Sequence, residues 1–232
     1  MSVSASAENS RTDLLPIVVL ASGRGSNLQA LIDARDAGTL AVEIRGVLSD
    51  KPKCQALQRA RDAGIATVAL SPRDYADRAS FDRDLFARIA EFSPRLIVLA
   101  GFMRVLDPAV VSACAGRMIN IHPSLLPKYP GLHTHQRALD AGDALHGSSV
   151  HIVTPTLDAG PVIAQAQIQI QSDDNAETLA ARLLPLEHHL LCACIALIAN
   201  DRIHLASDDW RCDGQHLPGP LQLGGDGELA QR

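Results

Sequence analysis

An asparagine and a histidine two residues apart, Asn120 and His122 in the run MINIHP, are the side chains of this sequence best suited to acyl chemistry. An Asn amide can donate to an oxygen as negative charge develops on an attacked carbonyl, and a His can carry the proton that leaves an attacking amine. In an extended segment residues two apart share a face, so the pair projects into one pocket while Ile121 turns toward the core. The same spacing also suits a satisfied polar pair at a strand end. Asp158, in the run TLDAGP, is the third candidate, because a carboxylate near an imidazole fixes its orientation and favours its protonated form. Asp-Ala-Gly is equally a common turn composition.

A second kind of chemistry is written in SGRGSN, residues 22–27, which follows the aliphatic run IVVLA and precedes the helical pattern NLQALIDARDAG. Short side chains between a buried strand and a helix let backbone N–H groups close on an anion, and a phosphate ester is the natural ligand. The loop matches neither GxGxxG nor GxxxxGK[ST], and a tight turn capped by Ser26 or Asn27 accounts for it as well. Arg24, inside the loop, either adds a cation to the anion site or faces water.

These residues need a scaffold, and the chain alternates strand and helix signals as a parallel α/β sheet requires. Strands are expected at 17–21, 42–48, 66–70, 95–101 and 118–121, with helices at 27–37, 53–63, 74–92 and 105–114 between them. The run PSLLPKYPG at 123–131 forbids regular structure and leaves the carboxyl end of the fifth strand, where α/β sheets bind ligands. Two further strands, 148–153 and 160–169, flank the turn with Asp158, and a helix spans 176–200 with a kink or break expected at Pro185. The expectation is a single Rossmann-like domain, a doubly wound, mostly parallel sheet with flanking helices, over residues 15–218. A polar leader precedes it at 1–14, and a Gly- and Pro-dense tail without a core follows at 219–232.

Composition narrows the partners. With 21 Lys and Arg against 26 Asp and Glu the formal net charge is -5, which disfavours nucleic acid as a bulk electrostatic partner and leaves small molecules. The leader has no basic region followed by an apolar run, so neither a signal peptide nor a membrane anchor is expected. Five cysteines without a CxxC pair read as free thiols of a reducing, cytoplasmic compartment. His133, His135, His146 and His151 lack Cys or carboxylate neighbours at ligand spacing, so no metal is expected. His151 shares a strand face with Ser149, and both are candidates to line or support the pocket.

The segments VVLASGRGSNLQALID, VLAGFMRVL, INIHPSLLPKYPGLHTHQRAL and HGSSVHIVTPTLDAGPVIAQ, with the glutamate in LEHH, resemble the folate-dependent formyltransferases, over nearly the whole chain from about residue 17 to 218. IHPSLLP and LDAGPVI are shared across that superfamily, whereas the GSN loop and KYPGLHTH resemble the glycinamide ribonucleotide transformylases within it. The resemblance implies the formyltransferase fold, and transfer of the formyl group of 10-formyltetrahydrofolate to the amine of glycinamide ribonucleotide (GAR) in purine synthesis, without a metal. It places catalysis on Asn120, His122 and Asp158, the phosphate on Gly25, Ser26 and Asn27, and the ribose on Glu187. It places the folate along Met103, Arg104, Val105 and Leu106, with Arg78 near the folate or phosphate region. A monomer or homodimer is expected. A formyl-folate hydrolase, a transferase acting on initiator tRNA, and a non-catalytic folate- or nucleotide-binding module are the competing readings. The first two are disfavoured because their usual extra domains do not fit this chain.

Overall fold

The structure, a computed structural model, describes residues 14–231, so apart from Leu14 the expected leader lies outside the described residues. Strand β1 (Leu15–Leu20) is buried along its whole length. Its side chains alternate between two cores: Ile17 and Val19 join one, Val18 and Leu20 the other. A strand that must be apolar on both faces reads as a continuous aliphatic run, which is why its pattern was visible in sequence.

Helix α1 (Ser26–Asp36), strand β2 (Val42–Ser49), helix α2 (Gln55–Asp62) and strand β3 (Thr67–Ala69) follow. The expected helix at 74–92 is split. A 3-10 turn covers Pro72–Asp74, and helix α3 (Arg78–Glu91) starts afresh because Asp77 and Ser80 form a reciprocal capping box. Strand β4 (Leu96–Leu99), a short helix α4 (Pro108–Ala113) capped by Asp107, and strand β5 (Met118–His122) complete the first half. Helix α4 is shorter than expected because Pro108 fixes its first position.

The second half holds helix α5 (Thr134–Asp140), strands β6 (Leu145–Ile152) and β7 (Val162–Gln169), helix α6 (Ala176–Ala199), and strands β8 (Ile203–Leu205), β9 (Trp210–Cys212), β10 (Leu221–Leu223) and β11 (Leu229–Ala230). The large sheet has the order β11-β10-β7-β6-β5-β4-β1-β2-β3, and β8 pairs with β9 separately. From β3 to β5 all neighbours are parallel; β6 and β7 then run antiparallel.

Two expectations change here. Helix α6 runs through Pro185 as one element, because Leu183 and Glu187 on either side stay on its buried face and packing outweighs the one lost hydrogen bond. The tail is not without structure: β10 pairs with β7 and buries Leu221, and β11 pairs with β10. The exposed edge of β7 supplies the unpaired backbone groups that order it. By length and composition α6 is apolar enough to cross a bilayer. Its buried residues account for part of that apolarity, with Leu190, Leu191, Cys194, Ile195 and Ile198 packed into the sheet's core.

Candidate active site

Strand β5 is the seam between the parallel and antiparallel halves, and its carboxyl end carries Asn120 and His122. The antiparallel register sets Asn120 opposite His151 and His122 opposite Ser149 on β6. The Nδ1 of His151 lies 2.9 Å from the Ile152 carbonyl, to which it donates, so its Nε2 accepts from the Asn120 Nδ2 at 3.0 Å. Burial holds the His151 imidazole below its ordinary pKa, which keeps it a neutral acceptor. The Asn120 amide is thereby oriented, with one N–H left for the pocket.

His122 is buried and its Nε2 donates to the Tyr129 carbonyl at 3.0 Å. Its Nδ1 lies 3.5 Å from the Asp158 Oδ2. Asp158 sits in a left-handed conformation (φ 49) in the turn between β6 and β7, accepts the Gly131 N–H at 2.8 Å, and places its other oxygen 3.7 Å from the His151 Nε2. Gly160 explains how this turn folds down: a Cβ there would stand 1.9 Å from the Ile152 carbonyl oxygen, so only glycine lets the backbones meet. Asp158 thus links His122 to the irregular loop after β5 and lies close to His151 without a hydrogen bond to it. The expected trio is brought together, and His151 joins it.

Ser149 does not line the cavity. Its hydroxyl donates to the Ser124 carbonyl at 2.7 Å and accepts the Leu126 N–H and the Gln165 amide, fastening the PSLLP loop to the sheet.

At the other end of the site, Gly25 is the residue before α1 and has φ 71. A Cβ on Gly25 would meet Ala56 at 2.7 Å, so glycine is required on two counts. Neither Ser26 nor Asn27 caps the helix, contrary to the simpler reading of the loop, and no side chain does. The first-turn N–H groups therefore point outward without a side-chain acceptor, and the first turn carries no acidic residue. The buried Oδ1 of Asn27 has no partner either. Beside it lies Glu187 on α6, whose carboxyl is pushed up to about 7 by burial, with Asn27 pulling the other way.

A cavity of about 460 Å³ opens at the catalytic end and is lined by Asn120, His122, Asp158, Met103, Arg104 and Val105 among others. Met103 (67% exposed) and Val105 (49% exposed) present apolar surface to it, while Leu106 is buried and lines an adjoining pocket with His151 and Asp158. Arg104 lies with its guanidinium 4.3 Å over the Phe81 ring. Arg78 is exposed at the first position of α3 and does not line the cavity. The Ser22 hydroxyl ties the two ends together, donating to Asp50 at 2.5 Å and accepting the Met103 N–H at 2.9 Å.

Sequence reasoning missed the Tyr129 carbonyl and the Gly131 N–H, main-chain groups that no residue type announces. It also missed His135, which lines the cavity and meets the buried His146 edge-on, Nδ1 to Nε2 at 2.9 Å. Burial depresses both rings, His146 to about 4. Of this pair the HTH run marks only His135; its partner His146 lies eleven residues on. Among the described residues no group of His, Cys, Asp and Glu has the arrangement of a metal site.

Comparison with known proteins places the chain in a family. The model of the formyl transferase family matches residues 15–195. The chain is 48% identical over 202 residues to the phosphoribosylglycinamide formyltransferase of Escherichia coli (strain K12), covering 87% of this chain and 95% of that one. Among solved structures, the phosphoribosylglycinamide formyltransferase of Coxiella burnetii superposes with a TM-score of 0.83 at 49% identity, over 88% of this chain and 96% of that one. The glycinamide ribonucleotide transformylase 1 of Symbiobacterium toebii gives a TM-score of 0.84 at 36% identity, over 90% and 99%. This chain belongs to the formyl transferase family, as its motifs implied.

Proposed function

We propose that this protein transfers the formyl group of 10-formyltetrahydrofolate to the amine of GAR, giving formyl-GAR and tetrahydrofolate, as a metal-independent cytoplasmic enzyme of purine synthesis acting as a monomer or homodimer. The observation that carries the reading is the Asn120 amide, oriented by His151, facing the same cavity as His122 and Asp158. The loop of Gly25, Ser26 and Asn27 takes the substrate phosphate on its free N–H groups, and Glu187 takes the ribose hydroxyls. The folate lies along Met103, Arg104, Val105 and Leu106. Arg78, exposed and outside the cavity, contributes to affinity for the donor at long range only.

The neutral amine attacks the formyl carbon and the carbonyl oxygen gains charge. The free N–H of Asn120 and the Nδ1–H of protonated His122, whose Nε2 donates to the Tyr129 carbonyl, stabilise that charge. Asp158 orients His122 and relays the proton that leaves the amine to the departing folate nitrogen, its carboxylate fixed by the Gly131 N–H. No acyl group is carried by the enzyme. The test is the absorbance change of folate deformylation with purified protein, with and without GAR. Turnover that requires the amine supports transfer; equal turnover in its absence identifies a hydrolase, and none at all identifies a binding module.

A further inference from the structure

The segment that carries Met103, Arg104, Val105 and Leu106 to the cavity and its adjoining pocket runs from the end of β4 to the start of α4. Side chains fix its main chain. At the near end the Ser22 hydroxyl accepts the Met103 N–H at 2.9 Å and donates to the buried Asp50. At the far end the Oδ2 of Asp82 accepts the Asp107 N–H at 2.7 Å. Among the described residues, no hydrogen bond holds the main chain of Arg104, Val105 or Leu106 between those two points. Phe102 and Leu106 sink into the core below, but apolar attraction has no direction. The segment is therefore strung between two buried carboxylates.

The two anchors differ in what else they hold. Ser22 belongs to the glycine loop, and its own N–H donates to the Gly101 carbonyl at 3.0 Å, so it serves both ends of the site. Asp82 belongs to α3, is completely buried, and lines neither the cavity nor its adjoining pocket. The Asp107 N–H is the one partner of its carboxylate among the described residues; its Oδ1 has none. Burial pushes the carboxyl above its ordinary pKa, while the Asp107 N–H, Arg104 and Arg78 pull it down. A buried carboxylate with a single hydrogen bond is unfavourable for the fold alone. Phe81, its neighbour on α3, lies 4.3 Å under the Arg104 guanidinium, so α3 meets the segment at both Arg104 and Asp107.

Resting on the reading of the chain as a formyl-folate enzyme, we propose that Asp82 is a positioning residue for the formyl donor. By holding the Asp107 N–H it keeps Met103, Arg104, Val105 and Leu106 where they line the cavity and its adjoining pocket, without itself touching either substrate. Because α3 carries no part of the glycine loop, the effect falls on the donor and not on GAR.

The test measures Kd for tetrahydrofolate and for GAR by calorimetry, together with turnover, in the wild type, Asp82→Ala and Asp82→Asn, with melting curves to check folding. Asp82→Ala frees the Asp107 N–H. Kd for tetrahydrofolate and KM for the formyl donor are then expected to rise about five- to tenfold, as the held position of the segment becomes a minor one. Kd for GAR and kcat are expected to stay within about twofold. Asp82→Asn keeps an oxygen for the same N–H and is expected to recover most of the donor affinity. Asp107→Pro removes that N–H from the other side, at a φ of -65 that proline adopts, and repeats the donor-side loss should Asp82→Ala not fold. Folded Asp82→Ala protein with unchanged donor affinity overturns the proposal. So does an equal loss for GAR and donor, which marks an effect on the fold at large, and so does an Asn variant as weak as the Ala one. A wild type that binds tetrahydrofolate without turnover counts against formyl transfer alone, since the Kd values still decide the role of Asp82. A wild type that binds no tetrahydrofolate overturns both.

Discussion

The parallel half of the sheet and the antiparallel half contribute to the site by different means. In the parallel half the binding groups lie in the loops that follow β1 and β4, and the proposed anion site is made mainly of backbone: Gly25 with φ 71 and the free first turn of α1. From β6 onward the contributions are side chains delivered by register, His151 opposite Asn120, and Asp158 from the next turn. A backbone site tolerates side-chain change except where a Cβ cannot fit. A side-chain site depends on each group and on the seam that aligns them. Substitutions in the first half should therefore act mainly on substrate binding, and those at the seam on turnover.

The largest effect should come from Asn120→Ala, which removes the oriented donor at the seam. Turnover is expected to fall by roughly 10²–10³ with KM and melting temperature little changed; near-normal kcat would remove Asn120 from the chemistry. Asp158→Asn should cost roughly 10²-fold and alter the acid limb of the pH–rate profile, since the group that orients His122 loses its charge. A profile superimposable on that of the wild type would show the two to be uncoupled.

On the parallel side, Gly25→Ala forces a Cβ to 2.7 Å from Ala56 at a left-handed residue. It should destabilise the fold by about 1–3 kcal/mol and raise KM for GAR more than it lowers kcat. The reverse ordering would erase the contrast between the halves.

The smallest and most diagnostic effect is expected at Glu187, which α6 buries beside Asn27. Its folded pKa of about 7 is raised from 4.5, so its contribution to stability is present below about 4.5 and is lost as pH rises through about 7. The ionised form accepts ribose hydroxyls better, so KM for GAR should fall over the same rise. Glu187→Gln should flatten both dependences, as measured by melting curves and initial rates from pH 5.5 to 8.5.

What could be read from the chain follows the same division. Strands buried on both faces, such as β1, show as aliphatic runs, and Asn120 and His122 share a face by simple alternation, so both were visible. The pairing of His151 with Asn120 depends on where β6 registers against β5, information carried by no local spacing. The carbonyl of Tyr129 and the N–H of Gly131 became functional only through the path of the loop after β5. Strands β10 and β11 went unseen because they are short, lie in a Gly- and Pro-dense segment, and are ordered by the β7 edge rather than by a pattern of their own. Helix α5, too short for a clear helical period, was hidden by the flanking prolines and glycine.

The fate of the formyl carbon tests the central claim most directly. With a donor carrying a ¹³C-labelled formyl group and an equimolar amount of GAR, NMR should show the label passing from folate to the amide of formyl-GAR, with no free formate and none retained on the protein. Label appearing in formate, or as an acyl group on the protein, would contradict direct transfer across the Asn120, His122 and Asp158 site.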